Sequence, residues 1–483
     1  MTTDAHDSPA DRIREVEARS VGFRRELGLA NLVLIQIMYV VGSGWVGTAA
    51  KTLGSSHLWF WLAAAALFYL PQAAVVIYLN RLMPLEGGLY QWATVGLGKF
   101  AGFLVAWNLW AYGILILATF GVMIATNLAY LLGSAGAAFT SAPGYTSVVS
   151  MIAIIGLTLV SILGLRVGKW FQNAGGAAQL LTYCALIAIP FLAARQGVVP
   201  NPEALTVTPP QFNLLSLNTL GKLAVGAFSG FEYVAILAGE CRSPARTIGR
   251  SVALAVPIIA LMFILGTGSV LALVPRSDID LVSPIPQTIT IGCRGMGAVE
   301  VVAKILILLL LVRQIGNGIL LFAGSTRLPM VAGWDGVLPA WFTRLHPRFR
   351  TPTNSILFVG VISVGLALAG LTGVGVQEAF QLLENAGGIF YAFAYLALFA
   401  IPLVAAHRLT ERPPLWLRLA ALAGFGITLM YAILSVLPII EVESWAAFAA
   451  KIITVLVAAN ALGVVIYGVG LWRTKRAAPP VGQ

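Results

Sequence analysis

Charge is what this chain has least of. Only 10% of its residues are Asp, Glu, Lys or Arg, while 59% are hydrophobic; a soluble globular domain carries about 25% charged residues, so that class is excluded. Histidine is scarce as well. His6, His57, His346 and His407 all fall at the ends of apolar segments or in loops, which excludes a histidine proton relay through a membrane core. The three cysteines, Cys184, Cys241 and Cys293, are far apart and match no metal or redox spacing. They read as small apolar fillers, and neither a metal nor a cofactor is expected. No nucleotide-binding motif occurs, so ATP is not expected to act directly.

What the chain has instead is apolar runs of about 20 residues, the length that crosses a hydrocarbon core. Twelve such spans are expected, near 27–50, 58–79, 100–131, 147–165, 171–194, 215–239, 250–274, 301–326, 354–372, 379–404, 415–439 and 446–472. The first 26 residues are polar and run directly into the first span, so a cleaved leader is not expected. With the N-terminus inside, 22 of the 30 basic residues fall in cytoplasmic segments, among them Arg24, Arg81, Arg166, Arg242, Arg348 and Arg408. Lys51, Arg195, Lys222, Arg276, Arg294, Lys304 and Lys451 are assigned to the outer segments. Both termini are therefore expected in the cytoplasm, in a bacterial inner membrane. The net charge of +11 then follows from this asymmetry and contact with anionic lipid, with no nucleic-acid partner required.

Two spans are interrupted. The first contains Gly42-Ser43-Gly44, and the sixth contains Phe228-Ser229-Gly230 at a similar depth. A single small-residue triplet can serve close helix packing. A pair of breaks at corresponding positions points to a transporter whose two halves run in opposite directions through the membrane. Unwinding exposes N–H groups at the start of one half-helix and carbonyls at the end of the other, so a zwitterion such as an α-amino acid suits both.

Four stretches carry a family resemblance. They are Gly42-Ser43-Gly44, the segment PLEGGLYQW from Pro84 to Trp92, the segment FSGFEYVAILAGECRSPARTIGRSV from Phe228 to Val252, and RLPMVAGWDGVLPAWFTRLHPRFRTP from Arg327 to Pro352. In this order they resemble the amino acid-polyamine-organocation superfamily of transporters over about residues 25–405. The resemblance implies an all-α polytopic membrane protein with twelve transmembrane helices: a five-plus-five inverted repeat at 27–405, with halves 27–195 and 215–405 and helices one and six broken. Two further helices occupy 406–472, and cytoplasmic tails lie at 1–26 and 473–483. It also implies that the backbone around Val40, Gly42, Ser43 and Gly44 holds the substrate carboxylate and amine, with Phe228, Ser229, Gly230 and Phe231 completing the site. Where arginine-agmatine exchangers of the family carry a gating tryptophan, this chain has Gly226, so Phe228 or Phe231 would take over that task. Their asparagine for the guanidinium corresponds to Leu117, which disfavours arginine, and the lysine of proton-coupled relatives corresponds to Gln179.

Only Glu232 and Arg313 are expected to be ionisable residues well inside spans, and such residues are functional candidates by default. Glu232 is either a proton carrier or a carboxylate that caps donors freed by the second break. Arg313 either receives a substrate carboxylate, pairs with Glu232 as a bridge or gate, or snorkels outward. The expected function is secondary transport of an amino acid by alternating access, as proton symport or exchange. A polyamine or organic cation is the alternative substrate, and a non-transporting receptor the alternative role. Catalysis is not expected, because no nucleophile with a base in reach is evident.

Overall fold

With no water to satisfy it in hydrocarbon, an apolar backbone must close its hydrogen bonds within a helix. The computed structural model describes residues 27–85, 87–140, 144–197, 201–236, 238, 241–294, 298–334, 338–339, 341–372 and 374–477. These are helical throughout apart from loops and one isolated bridge between Leu27 and Cys241. The expected tail 1–26, the end of the tail from 478, and Glu86, Leu237, Gly239, Glu240, 335–337 and Ala340 of the quoted motifs lie outside the described residues.

The first expected span is two helices, α1 (Leu29–Val40) and α2 (Ser43–Leu53), separated at Val41 and Gly42. After a short turn come α3 (His57–Ala64), a π-helical stretch (Ala65–Tyr69) and α4 (Leu70–Leu82). Then follow α5 (Leu89–Leu97), α6 (Lys99–Leu132), α7 (Tyr145–Ile162) and α8 (Leu165–Arg195). The sixth expected span is also divided. Helix α9 (Leu214–Gly221) widens into a π-helical stretch (Lys222–Ala227), stops at Phe228–Gly230, and resumes as the short α10 (Phe231–Ile236). The remainder comprises α11 (Pro244–Leu273), α12 (Pro284–Gly292), α13 (Ala298–Trp334), α14 (Thr353–Gly370), α15 (Val376–Val404), α16 (Leu415–Leu434) and α17 (Trp445–Ala477). Ten helices among the described residues are long and apolar enough to cross a membrane, one of them the run Ser43–Leu82.

Burial separates the centre from the periphery. In the most apolar windows of α6, α13 and α15, 67% of residues are buried, against 17% in α17. Helix α6 packs on both α13 and α15, and α8 lies along α13. The outer helices instead expose leucine, isoleucine and valine, such as Ile152, Leu159, Val361, Val457 and Val465. Those faces match lipid, which is as apolar as they are.

Contacts at the ends of the broken helices fix their position. The Arg242 N–H donates to the Leu27 carbonyl at 2.9 Å, tying the start of α1 to the exit from α10. At the far end of α2, Arg276 donates to the Lys51 and Thr52 carbonyls at 3.1 Å each and pairs with Glu203 at 3.0 Å. These bonds take up carbonyls that the last turn of a helix leaves without partners. At the second break Gly230 has φ +136°, and a Cβ there would lie 2.6 Å from the Tyr39 ring. Glycine alone meets both demands.

Candidate substrate-binding site

A small cavity of about 90 Å³ lies where both breaks meet α6, α13 and α15. Of the sequence-expected residues, Val40, Gly42, Ser43, Gly44, Ser229 and Arg313 line it. Helix α6 contributes Tyr112, Ile116, Thr119, Phe120 and Met123; Leu117 is buried and is not part of the lining.

The two sides of the first break differ. Helix α2 has Gly42 at its N-cap and no side-chain cap, and its first-turn residues Ser43, Gly44 and Trp45 line the cavity at the positive end of the helix dipole. The α1 side is already occupied. The Arg313 guanidinium donates to the Val41 carbonyl at 2.7 Å and to the Met38 carbonyl at 3.4 Å. Gln179 on α8 donates to the same Val41 carbonyl at 2.9 Å. A fixed cation therefore sits where the helix dipole is negative. The Met38 and Val41 carbonyls therefore do not stand open for the ammonium group expected at this backbone. This also gives Arg313 a role beside the three sequence readings: among the described residues no ion pair joins it to Glu232 and at 2% exposure it does not snorkel, while it remains in the cavity wall.

The second break is held by protein groups as well. Gln72 on α4, with its amide oriented by its neighbours, accepts from the Gly230 and Phe231 N–H groups at 3.2 Å and donates to the Phe228 carbonyl at 2.9 Å. Gly230 N–H also donates to the Tyr395 hydroxyl at 2.9 Å. Glu232 is fully buried and accepts hydrogen bonds from Tyr391 and Tyr395, one turn apart on α15. It lies behind the cavity rather than in its wall, with Tyr391 between the two as a residue of both.

Phe228 and Phe231 do not line the cavity, contrary to expectation. Phe228 stacks on Tyr69 at 4.2 Å between ring centroids and meets Trp61 and Phe263 edge-on at 5.2 and 5.4 Å. Phe231 stacks on the same Tyr69 at 5.0 Å. Aromatic packing of this kind is worth about 0.5–1.5 kcal/mol per pair beyond area burial, and it anchors the break from behind. Gly230 does not line the cavity either, since the Tyr39 ring covers it. The tryptophan at the cavity comes from the other break. The Trp45 indole of α2 lies against Gly226, where a Cβ would sit 2.7 Å from Trp45 Cζ2 and 3.0 Å from Cζ3.

Two charged residues that sequence reasoning missed belong to this region. The charge pattern assigns Lys222 to an outer segment, yet it is 1% exposed and contacts Asn385 Oδ1. Glu384 on α15 lines the cavity. Both sit within the first turns of their spans, where hydropathy alone reads a charge as interfacial. The cavity also holds polar atoms with no hydrogen-bond partner among the described residues: Ser229 Oγ, Arg313 Nε and Asn317 Oδ1. Buried groups of this sort are normally satisfied, and a ligand in the cavity would supply the partners these lack.

Paired broken helices around a polar cavity in an otherwise apolar bundle define a membrane transport protein. The amino acid permease family profile matches residues 27–462, and the chain belongs to that family. It is 25% identical to an uncharacterized transporter of Legionella pneumophila, over 81% of this chain and 83% of that protein. It is 23% identical to the branched-chain amino acid permease BcaP of Bacillus subtilis, over 75% of this chain and 80% of the permease. Its fold is similar to the crystal structure of MhsT in complex with L-phenylalanine, with a TM-score of 0.61 and 15% identity over 86% of this chain and 99% of that one. The protein is thus an integral membrane transporter of the permease family.

Proposed function

We propose that the protein moves an α-amino acid across a bacterial inner membrane by alternating access, as a proton symporter or an exchanger, with both termini cytoplasmic. In this reading the ten-helix core is a five-plus-five inverted repeat, and α16 and α17 are the two added spans of a twelve-span chain. The observation that carries the substrate class is the uncapped start of α2 at a cavity with unpartnered polar atoms. The Ser43, Gly44 and Trp45 amides are placed to receive a carboxylate, as helix N-termini do. Membership of the amino acid permease family and the likeness to the branched-chain amino acid permease of Bacillus subtilis agree with an amino acid. A polyamine fits less well, because the Arg313 guanidinium lines the same cavity and a polyamine has no carboxylate to set against it or the α2 amides.

The test is uptake of a panel of labelled amino acids and polyamines into liposomes that contain the purified protein, with and without an inward proton gradient. Accumulation of one amino acid only with the gradient supports symport. Uptake that requires preloaded internal amino acid supports exchange. Transport of polyamines alone overturns the proposal, and so does silence across the panel, which would favour a receptor.

A further inference from the structure

A zwitterion needs two opposite poles, and at the first break several carbonyls of the negative pole are already taken. At the end of α1, the Ile37 carbonyl accepts from Val41 N–H at 3.1 Å and the Val40 carbonyl from Gly42 N–H at 2.8 Å. The Met38 and Val41 carbonyls accept from Arg313. At the second break the Phe228 carbonyl accepts from Gln72. An ammonium group would have to displace a tethered guanidinium to reach the Met38 and Val41 carbonyls.

The negative charge in the cavity wall is Glu384. Its side chain faces the cavity from α15, and no protein hydrogen bond to its carboxylate is present among the described residues. A carboxylate in a membrane core without a donor is costly. Lys222 offsets part of that cost, since the two charges attract each other, yet the lysine does not line the cavity and makes no ion-pair contact with Glu384 within 4.0 Å. Lys222 is instead held by Asn385, the neighbour of Glu384 on the same helix. The counter-charge thus stands behind the carboxylate and leaves its cavity face open.

We propose that Glu384 receives the positive group of the substrate, the α-ammonium of an amino acid, and that Lys222 and Asn385 are positioning residues for it. This deepens the amino-acid reading and rests on it. The carboxylate would lie at the α2 N-terminus and the ammonium at Glu384, so the substrate bridges the first broken helix and α15.

The test compares binding of a transported amino acid, its 2-hydroxy analogue and its amide, measured on wild type, Glu384→Gln and the double variant Glu384→Gln/Lys222→Met by isothermal titration in detergent. Wild type is expected to prefer the amino acid over the hydroxy analogue by more than about tenfold, the size of one charged hydrogen bond. Both variants are expected to lose that preference while still rejecting the amide, which lacks the carboxylate. The double variant removes both buried charges, so it keeps the test open if the single one misfolds with Lys222 uncompensated. Retention of the wild-type preference in either folded variant overturns the assignment to Glu384 alone. Failure of wild type to bind any amino acid overturns both readings.

Discussion

Replacing Gly226 by alanine is expected to weaken substrate binding without harming the rest of the bundle. The added methyl would lie 2.7 Å from Trp45 Cζ2 and 3.0 Å from Cζ3, closer than carbon atoms approach. Backbone cannot yield easily there, since residue 226 belongs to the π-helical stretch before the second break. The indole must therefore swing, and it lines a cavity of only about 90 Å³. Overpacking of this kind costs about 1–3 kcal/mol. If the ring moves into the cavity, that energy appears as a rise in Kd of roughly 5- to 150-fold. The assay is equilibrium binding of the transported amino acid to detergent-solubilised wild type, Gly226→Ala and Gly226→Ala/Trp45→Phe. The smaller phenyl ring relieves the clash, so the double variant should recover most of the affinity. An unchanged Kd in Gly226→Ala, with an unchanged melting temperature, would refute the placement of Trp45 as the aromatic that shapes this cavity.

Gln72→Leu is expected to leave the Gly230 and Phe231 amides and the Phe228 carbonyl with fewer partners, destabilising the protein by about 1–3 kcal/mol; an unchanged melting curve would show that the second break does not depend on this bridge. Uptake is expected to be equal in sodium and choline buffers, because Arg313 already holds the Met38 and Val41 carbonyls where a coupling cation would bind. Stimulation of wild-type uptake by sodium would contradict that.

Both breaks were legible in the sequence because glycine and serine interrupt apolar runs there, and backbone geometry follows from those residues locally. Arg313 and Glu232 stood out for a similar reason: a lone charge deep in a span is conspicuous. Their partners were not legible. Val41 lies 272 residues from Arg313, and Tyr391 lies 159 from Glu232, so each contact is set by how α13 and α15 pack on the broken helices. The direction of Phe228 and Phe231 was equally hidden, since it follows from the unusual φ of Gly230 and from where Tyr69 stands. Lys222 and Glu384 were lost to position. A charge within two turns of a span's end has the same sequence signature whether it meets headgroups or a neighbouring helix.

The tethering of Arg313 has an electrical consequence. A coupling ion that binds a broken helix and leaves on the other side carries its charge through the membrane field, worth about 2.3 kcal/mol per 100 mV. The guanidinium on the Met38 and Val41 carbonyls belongs to the chain and returns with it. Over a complete turnover its displacement cancels. The current accompanying transport is then set by the substrate and any protons alone, and a neutral zwitterion exchanged for another would pass without regard to membrane voltage.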